Sequence, residues 1–130
     1  QRVLVVAIDN QSQAELGRWP WSREVHARLV RQLDAAGADA IGYDVLFPEP
    51  STPAADTALA RAIAASARVV LASYIEVPGP NGAPALRVPP TPVLADAARA
   101  TGHVSTRPDR DGVVRGIDIL SDGDGRGDRH

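Results

Sequence analysis

Three short apolar runs, separated by helical patterns, constrain the fold of this 130-residue chain more than any other feature. The runs lie at residues 3–8, 40–47 and 69–74, and each is typical of a strand that is buried on both faces. Strands that alternate with helices form β-α-β units, whose crossovers are right-handed. The sequence therefore predicts that these three strands are parallel.

Helix signals fill the segments between and after the runs. Ser22 and Gly37 mark the start and end of one amphipathic helix, and an alanine-rich helix is predicted at about 53–66. Thr91 and the proline after it predict a short third helix at 92–99. These helices supply the crossovers that a parallel sheet requires.

Two further segments are expected to complete the sheet or its surface. An Asp-Arg-Asp-Gly turn at 109–112 separates 103–106 from 113–120, which predicts an antiparallel hairpin. The Pro/Gly-rich segment 78–90 is interpreted as a surface excursion, with a loose hairpin around its Asn-Gly pair.

The fold class that follows is mixed α/β, with a three-layer-like mixed sheet of about five strands. The first three strands are expected to be parallel and the last two to form the antiparallel hairpin. Residues 1–120 are interpreted as one domain and residues 121–130 as a flexible Gly/Asp-rich tail. The chain opens inside a predicted strand without a methionine, so we expect it to be part of a longer protein.

Composition excludes several function classes. All 14 basic residues are arginine, and there is neither lysine nor cysteine. A P-loop NTPase, a Schiff-base enzyme and a protein kinase need lysine, and a thiol nucleophile or a Cys-ligated metal needs cysteine. The net charge of −2 gives no reason to expect a nucleic-acid partner. No run of 18 apolar residues exists, so membrane contact is expected only through segments outside this chain.

Asp9 and Asp44 end two of the predicted parallel strands, at the edge where open α/β sheets bind ligands. Two carboxylates at that edge suit Mg²⁺ or Ca²⁺, which would support a small metal-dependent hydrolase or phosphatase. The position two residues after Asp9 is Gln11 rather than a second acid. The alternative interpretation is structural, with the carboxylates bonded to backbone amides and to hydroxyls such as that of Ser12.

Both tryptophans are concentrated in the segment Trp19-Pro20-Trp21-Ser22-Arg23, just ahead of the first helix. Paired indoles beside arginine can form an aromatic wall for a ligand or a partner. They can equally pack as a staple over the start of the helix.

Acidic residues at 109 and 111 are compatible with a Ca²⁺ clip, although such a pair more often forms an Asx-turn with its own backbone.

Five blocks of the chain resemble one known family, the second class of CHASE domains (cyclase/histidine-kinase-associated sensory extracellular domains). The most specific are Gly-Arg-Trp-Pro-Trp and Asp-Gly-Val-Val-Arg, and together the blocks span 7–12, 16–23, 41–47, 102–105 and 109–115.

This resemblance implies an extracytoplasmic, periplasmic sensory domain of a bacterial inner-membrane receptor, with no catalytic residue, metal or cofactor of its own. It implies that a small-molecule or protein signal is read out by a cytoplasmic nucleotide cyclase, histidine kinase, serine/threonine kinase or diguanylate cyclase. A ligand site is then expected at one edge of the sheet, at Asp9, Ser12, Trp19, Trp21, Arg23 and Asp44, with Asp111 and Arg115 joining. A ligand-free module that forms a homodimer through the Trp19 and Trp21 surface remains an alternative, as does the hydrolase.

Overall fold

The computed structural model describes residues 2–76, 86–106 and 109–114. In this part of the chain, helices and strands alternate in a mixed α/β arrangement. In chain order the elements are α1 (Asn10–Leu16), α2 (Arg23–Ala35), β1 (Ile41–Tyr43), α3 (Pro53–Ser66), β2 (Val69–Glu76), β3 (Leu86–Val88), α4 (Pro92–Ala97) and β4 (Ala100–His103).

Strand β2 is the centre of an open four-stranded mixed sheet. It pairs in parallel with β1, where Ile41 lies opposite Val69, and in parallel with β4, where Ser73 lies opposite His103. Its far end pairs with β3 in the antiparallel direction. The predicted parallel arrangement of the second and third apolar runs is therefore confirmed, although only three residues of 40–47 form strand.

The first predicted strand is absent, and this expectation was wrong. Residues 2–9, all of which the structure describes, form no strand, and the side chains of Val3, Leu4 and Val5 are 83–88% exposed. An apolar run becomes a strand only when a neighbouring strand supplies hydrogen bonds. Among the described residues β1 pairs with β2 alone, so nothing covers this run.

The predicted C-terminal hairpin stays a prediction, since residues 115–120 of its second strand lie outside the described residues. The segment around His103 forms β4, which begins at Ala100 and runs parallel to β2, because α4 returns the chain to the start of the sheet. The antiparallel strand among the described residues is β3, within the segment predicted as a surface excursion with a loose hairpin. The turn at 109–112 is present, with Gly112 N–H donating to the Asp109 carbonyl at 2.8 Å. Residues 81–82, 115–120 and the predicted tail lie outside the described residues.

Local capping explains the helix boundaries. Thr52 caps α3 by accepting from Ala55 N–H at 3.3 Å, and Pro53 occupies the first helical position. The sequence missed α1, a seven-residue helix that Asp9 caps by accepting from Ser12 N–H at 2.8 Å.

The core lies between the helices and one face of the sheet. Alternate residues of a strand share a face, and Val69 and Leu71 of β2 therefore point to the same side as Ile41 and Tyr43 of β1. Helices α2, α3 and α4 cover that side, and the residues buried there include Leu59, Ile63, Leu71 and Leu94.

Candidate functional site

The Trp-Pro-Trp segment lies directly before α2 and turns back on itself at Gly17. Gly17 has φ of +94° and ψ of 173°, a conformation essentially restricted to glycine. Its carbonyl accepts a 2.7 Å hydrogen bond from Trp21 Nε1. The Trp19–Pro20 peptide is cis, and Ser22 precedes the first helical residue. These contacts place both indoles over the start of α2.

Five rings meet at this point and form what we call the α2 aromatic cluster: Trp19, Trp21, His26, Tyr43 and Phe47. His26 lies at its centre, with ring centroids 5.6 Å from Trp19, 5.9 Å from Tyr43 and 5.2 Å from Phe47. The two indoles meet edge to face, with centroids 5.4 Å apart. Phe47 and His26 are buried and the indoles are half-buried, so the cluster joins the protein interior to its surface.

A buried hydrogen bond of 2.9 Å joins His26 Nδ1 to the Tyr43 hydroxyl. Burial is the main cause that lowers the pKa of His26, and the positive charge of Arg23 lowers it further. Burial also raises the pKa of Tyr43 to about 12. The pair is therefore neutral over a wide range around neutral pH, which suits a packed aromatic interior.

Arg23 lies beside the cluster, and its positive charge is balanced by an ion pair with Asp56. Its guanidinium carbon is 4.3 Å from the centroid of the Phe47 ring, and Nε donates to Asp56 Oδ1 at 3.1 Å. Nη2 donates to the Glu49 carbonyl at 2.8 Å, and the second oxygen of Asp56 accepts from Ser51 N–H at 2.8 Å. Since both charged side chains are largely buried, this ion pair ties α2, the loop after β1 and α3 into one network.

Asp9 and Ser12 lie on the surface at α1 and bond to each other. The Asp9 carboxylate accepts from both the amide and the hydroxyl of Ser12, which lowers its pKa. Because the first predicted strand is absent, the premise that Asp9 ends a strand beside Asp44 was wrong. The arrangement is the capping interaction that the structural alternative described.

The other predicted site residues are not assembled into one place. Asp44 is exposed directly after β1, and Asp111 accepts from Val113 N–H at 3.1 Å, the Asx-turn that the sequence suggested as an alternative. Arg115 lies outside the described residues. Of the seven predicted positions that the structure describes, only Trp19, Trp21 and Arg23 come together at the α2 aromatic cluster.

Sequence reasoning missed three participants of this network as site residues: Tyr43, Phe47 and Asp56. The sequence placed Tyr43 and Phe47 within the predicted strand at 40–47 and Asp56 within the alanine-rich helix, without a binding role. The scarcity of aromatic residues in this chain was the available signal, because all but one of its five aromatic residues lie in the cluster.

The chemistry available in this arrangement is binding and packing. The partner of His26 is a tyrosine rather than a nucleophile that it could activate. Across the described residues there is no group of three histidine or acidic side chains able to hold a metal ion. The hydrolase alternative therefore finds no support in the site.

An open mixed sheet with helices on one face and an aromatic cluster beside it defines a small mixed α/β domain. The CHASE2 domain model matches residues 1–124, and the chain belongs to this family. CHASE2 domains are extracellular sensory domains without catalytic activity. No curated protein and no solved structure matches the chain. Within the described ranges, no helix has the length and apolarity to cross a membrane.

Proposed function

We propose that this chain is the periplasmic signal-sensing domain of a membrane-bound bacterial receptor that regulates a cytoplasmic output domain. The output would be a nucleotide cyclase, a histidine kinase, a serine/threonine kinase or a diguanylate cyclase. The CHASE2 match over residues 1–124 is the observation that carries the proposal.

The α2 aromatic cluster supports this proposal physically. A sensor responds to a ligand by having two conformations with different affinities for it. The cluster contacts α2, β1 and the segment after β1, and the Arg23–Asp56 ion pair extends the same network to α3. A ligand that moved the half-buried indoles would therefore change how these elements pack.

The signal is proposed to bind at the outer side of Trp19 and Trp21. Since Arg23 is already paired with Asp56, its contribution is to hold the aromatic surface in place rather than to bind a charge. Asp44, exposed after β1, supplies a polar group on the same segment as Tyr43. Asp9, Ser12, Asp111 and Arg115 remain proposed contributors for a small-molecule or protein signal.

Cellular location is tested by fusing alkaline phosphatase directly after this domain in the full-length protein. Alkaline phosphatase is active only outside the cytoplasm, so we expect an active enzyme, and a matched green fluorescent protein fusion should be dark. Fluorescence with inactive phosphatase would overturn the extracytoplasmic placement.

Signalling is tested by measuring the output activity of the full-length receptor in membranes with Trp19→Leu. We expect this substitution to change the output, because it removes an indole from the cluster. Val93→Ala, at a 45% exposed position on α4, is the matched control and should leave the output unchanged. Equal outputs for both variants at equal receptor levels would contradict a sensory role for the cluster.

The dimerisation module expected from the sequence would meet its partner through Trp19 and Trp21, whereas one observation favours a dimer through another segment. Val3, Leu4 and Val5 expose adjacent apolar side chains, and contiguous apolar surface often marks an interface. A second copy of this chain would bury the run. Sedimentation velocity over a range of protein concentrations tests this alternative: Val5→Asp should abolish a concentration-dependent dimer, and a monomer at all concentrations would exclude it.

A further inference from the structure

Arg87 extends across the sheet toward polar side chains on the neighbouring strands. On β2, residues 73 and 75 share a face, and Arg87 of β3 lies opposite Ile75. Thr101 and His103 of β4 lie opposite Leu71 and Ser73, so they occupy the same face. We call Ser73, Arg87, Thr101 and His103 the Arg87 site.

The described residues bond to only one edge of the Arg87 guanidinium. Arg87 Nε donates to Ser73 Oγ at 3.2 Å, and Nη2 donates to the Thr101 carbonyl and hydroxyl at 3.4 and 3.5 Å. These acceptors lie along the Nε–Nη2 side. Nη1 donates to no described residue, which leaves the Nη1–Nη2 edge available.

No carboxylate in the described part of the chain forms an ion pair with Arg87. The side chain is half-buried and all of its hydrogen-bond acceptors are neutral. A guanidinium binds a carboxylate through two parallel N–H bonds better than it binds neutral oxygens. The Nη1–Nη2 edge therefore has the charge and the paired N–H groups that a carboxylate requires, and no described residue uses them.

A second polar group on the same face of the sheet also lacks a hydrogen-bond partner among the described residues. His103 Nδ1 is buried and forms no hydrogen bond. Its strand neighbour Ser73, which is fully buried, is the residue that holds Arg87 Nε. A buried nitrogen without a partner costs free energy, which a ligand hydroxyl would recover by donating a hydrogen bond to it.

We propose that the Arg87 site binds a small 2-hydroxycarboxylate. The carboxylate accepts two hydrogen bonds from the free edge of Arg87, and the hydroxyl donates to His103 Nδ1. The inference goes beyond the proposed function, because it assigns a second ligand site on the sheet, separate from the Trp19 and Trp21 surface. Only the role of this second site in signalling rests on the proposed function. Binding itself is measurable on this chain without any output domain, so the two proposals can fail separately.

The test is an NMR titration of the ¹⁵N-labelled chain with sodium L-lactate. Acetate has the carboxylate without the hydroxyl, and lactamide has the hydroxyl without the charge. We expect lactate to shift the Arg87 Nε–H resonance and to bind more tightly than acetate, while lactamide produces no shift. Equal shifts with lactate and lactamide, or no movement of the Arg87 resonance with lactate, would overturn the proposal.

Two variants test whether Arg87 is the residue that binds lactate. Arg87→Gln should weaken lactate binding about tenfold or more, because a charge-assisted pair of hydrogen bonds is lost. Arg61→Gln, an exposed position on α3 with the same change in charge, is the matched control and should bind lactate like the parent chain. Equal loss in both variants would show a general charge effect and would overturn the site.

The hydroxyl contact is tested with His103→Phe, which keeps a ring of similar size and removes the nitrogen. We expect the lactate affinity to fall to that of acetate while acetate binding is retained. An unchanged preference for lactate would remove His103 from the site. Binding of inorganic phosphate as tightly as lactate would contradict recognition of a hydroxycarboxylate.

Discussion

Two arginines approach the same sheet and differ in how their charge is balanced. Arg23 of α2 packs against Phe47 and pairs with the buried Asp56, whereas Arg87 of β3 contacts only neutral oxygens. The first arginine has the partners of a structural ion pair. The second retains a free edge, as a binding residue does. The difference shows that burial and charge alone do not identify a ligand site; the state of the hydrogen-bond partners does.

The largest loss of stability should come from removing Arg23, because its positive charge is balanced by the buried carboxylate of Asp56. Arg23→Gln leaves Asp56, whose side chain is 7% exposed, without its counter-ion. Breaking one partner of a buried pair costs about 3–5 kcal/mol. Urea unfolding followed by circular dichroism measures the loss. Arg68→Gln, which removes the 3.2 Å surface pair with Asp34, is the control and should cost about 1 kcal/mol or less. Equal costs for the two variants would remove the distinction between the buried and the surface pair.

The next largest loss of stability should come from removing the hydrogen bond between His26 and the Tyr43 hydroxyl. Tyr43→Phe keeps the ring but leaves His26 Nδ1 buried without its 2.9 Å partner. We expect a loss of about 1–3 kcal/mol in the free energy of unfolding, because the buried nitrogen can no longer form a hydrogen bond. Tyr74→Phe on β2 is the control, since that hydroxyl forms no hydrogen bond with the described residues. A Tyr43→Phe protein as stable as its parent would show that water replaces the hydroxyl.

The backbone turn that holds Trp21 is tested by adding one methyl group. Gly17→Ala forces alanine into a conformation with φ of +94°, which should cost about 1–3 kcal/mol. Gly42→Ala is a matched control, because neither glycine has a heavy atom within 4 Å of the added Cβ and Gly42 lacks a positive φ. Thermal unfolding should separate the two variants. Similar midpoints would mean that the Trp-Pro-Trp loop adjusts at no cost.

The stability of the α2 aromatic cluster should depend on pH at both ends of its range. The pKa of His26 is lowered from 6.5, so the unfolded chain binds the proton more readily and stability is lost as the pH falls below 6.5. The slope from this group is at most about 1.4 kcal/mol per pH unit. The pKa of Tyr43 is raised from 10.0 to about 12, so stability is also lost as the pH rises between these values.

Urea midpoints measured across this range test both limbs. His26→Phe should flatten the acid limb, and Tyr43→Phe should flatten the alkaline limb. If either variant kept the slope of the parent chain, another group would be responsible for it.

The smallest effect on stability is expected at the second arginine. Arg87→Gln should lower the free energy of unfolding by about 1 kcal/mol, since the hydrogen bonds to Ser73 and Thr101 are lost but no buried counter-charge depends on Arg87. The same urea experiment measures this change. A loss as large as that of Arg23→Gln would show that Arg87 is a structural residue like Arg23 and that the two arginines do not differ in role.

Local signals in the sequence predicted much of the fold. The limits of α3 were predicted because a threonine, a proline and a helical pattern agree there, and the parallel pairing of β1 with β2 follows from the crossover between them. Residues 3–8 were mispredicted because apolarity shows what a segment would gain from burial but not which neighbour covers it. The seven residues of α1 were missed because their polarity resembles that of a loop.

The candidate sites were less predictable than the fold. The Trp-Pro-Trp segment was identified because both indoles occur together in the sequence. Its connection to Asp56 joins residues 33 positions apart, and the contact between Arg87 and Thr101 depends on strand register. No pattern of neighbouring residues in the sequence predicts contacts between residues so far apart. The geometry of each network therefore becomes visible only when the elements are packed together.

Every other described strand pairs with β2, so the hydrogen bonds of the sheet should break in a definite order on unfolding. Since β1, β3 and β4 each bond to this one strand, no part of the described sheet survives its removal. Amide hydrogens of Val70 and Leu71, which have strand partners on both sides, should exchange with solvent only when the whole domain unfolds, whereas those of β3 can exchange through local fraying. The ligand contacts proposed at Arg87 would thus be made at the end of the sheet that opens most readily, and a bound carboxylate would slow exchange there first.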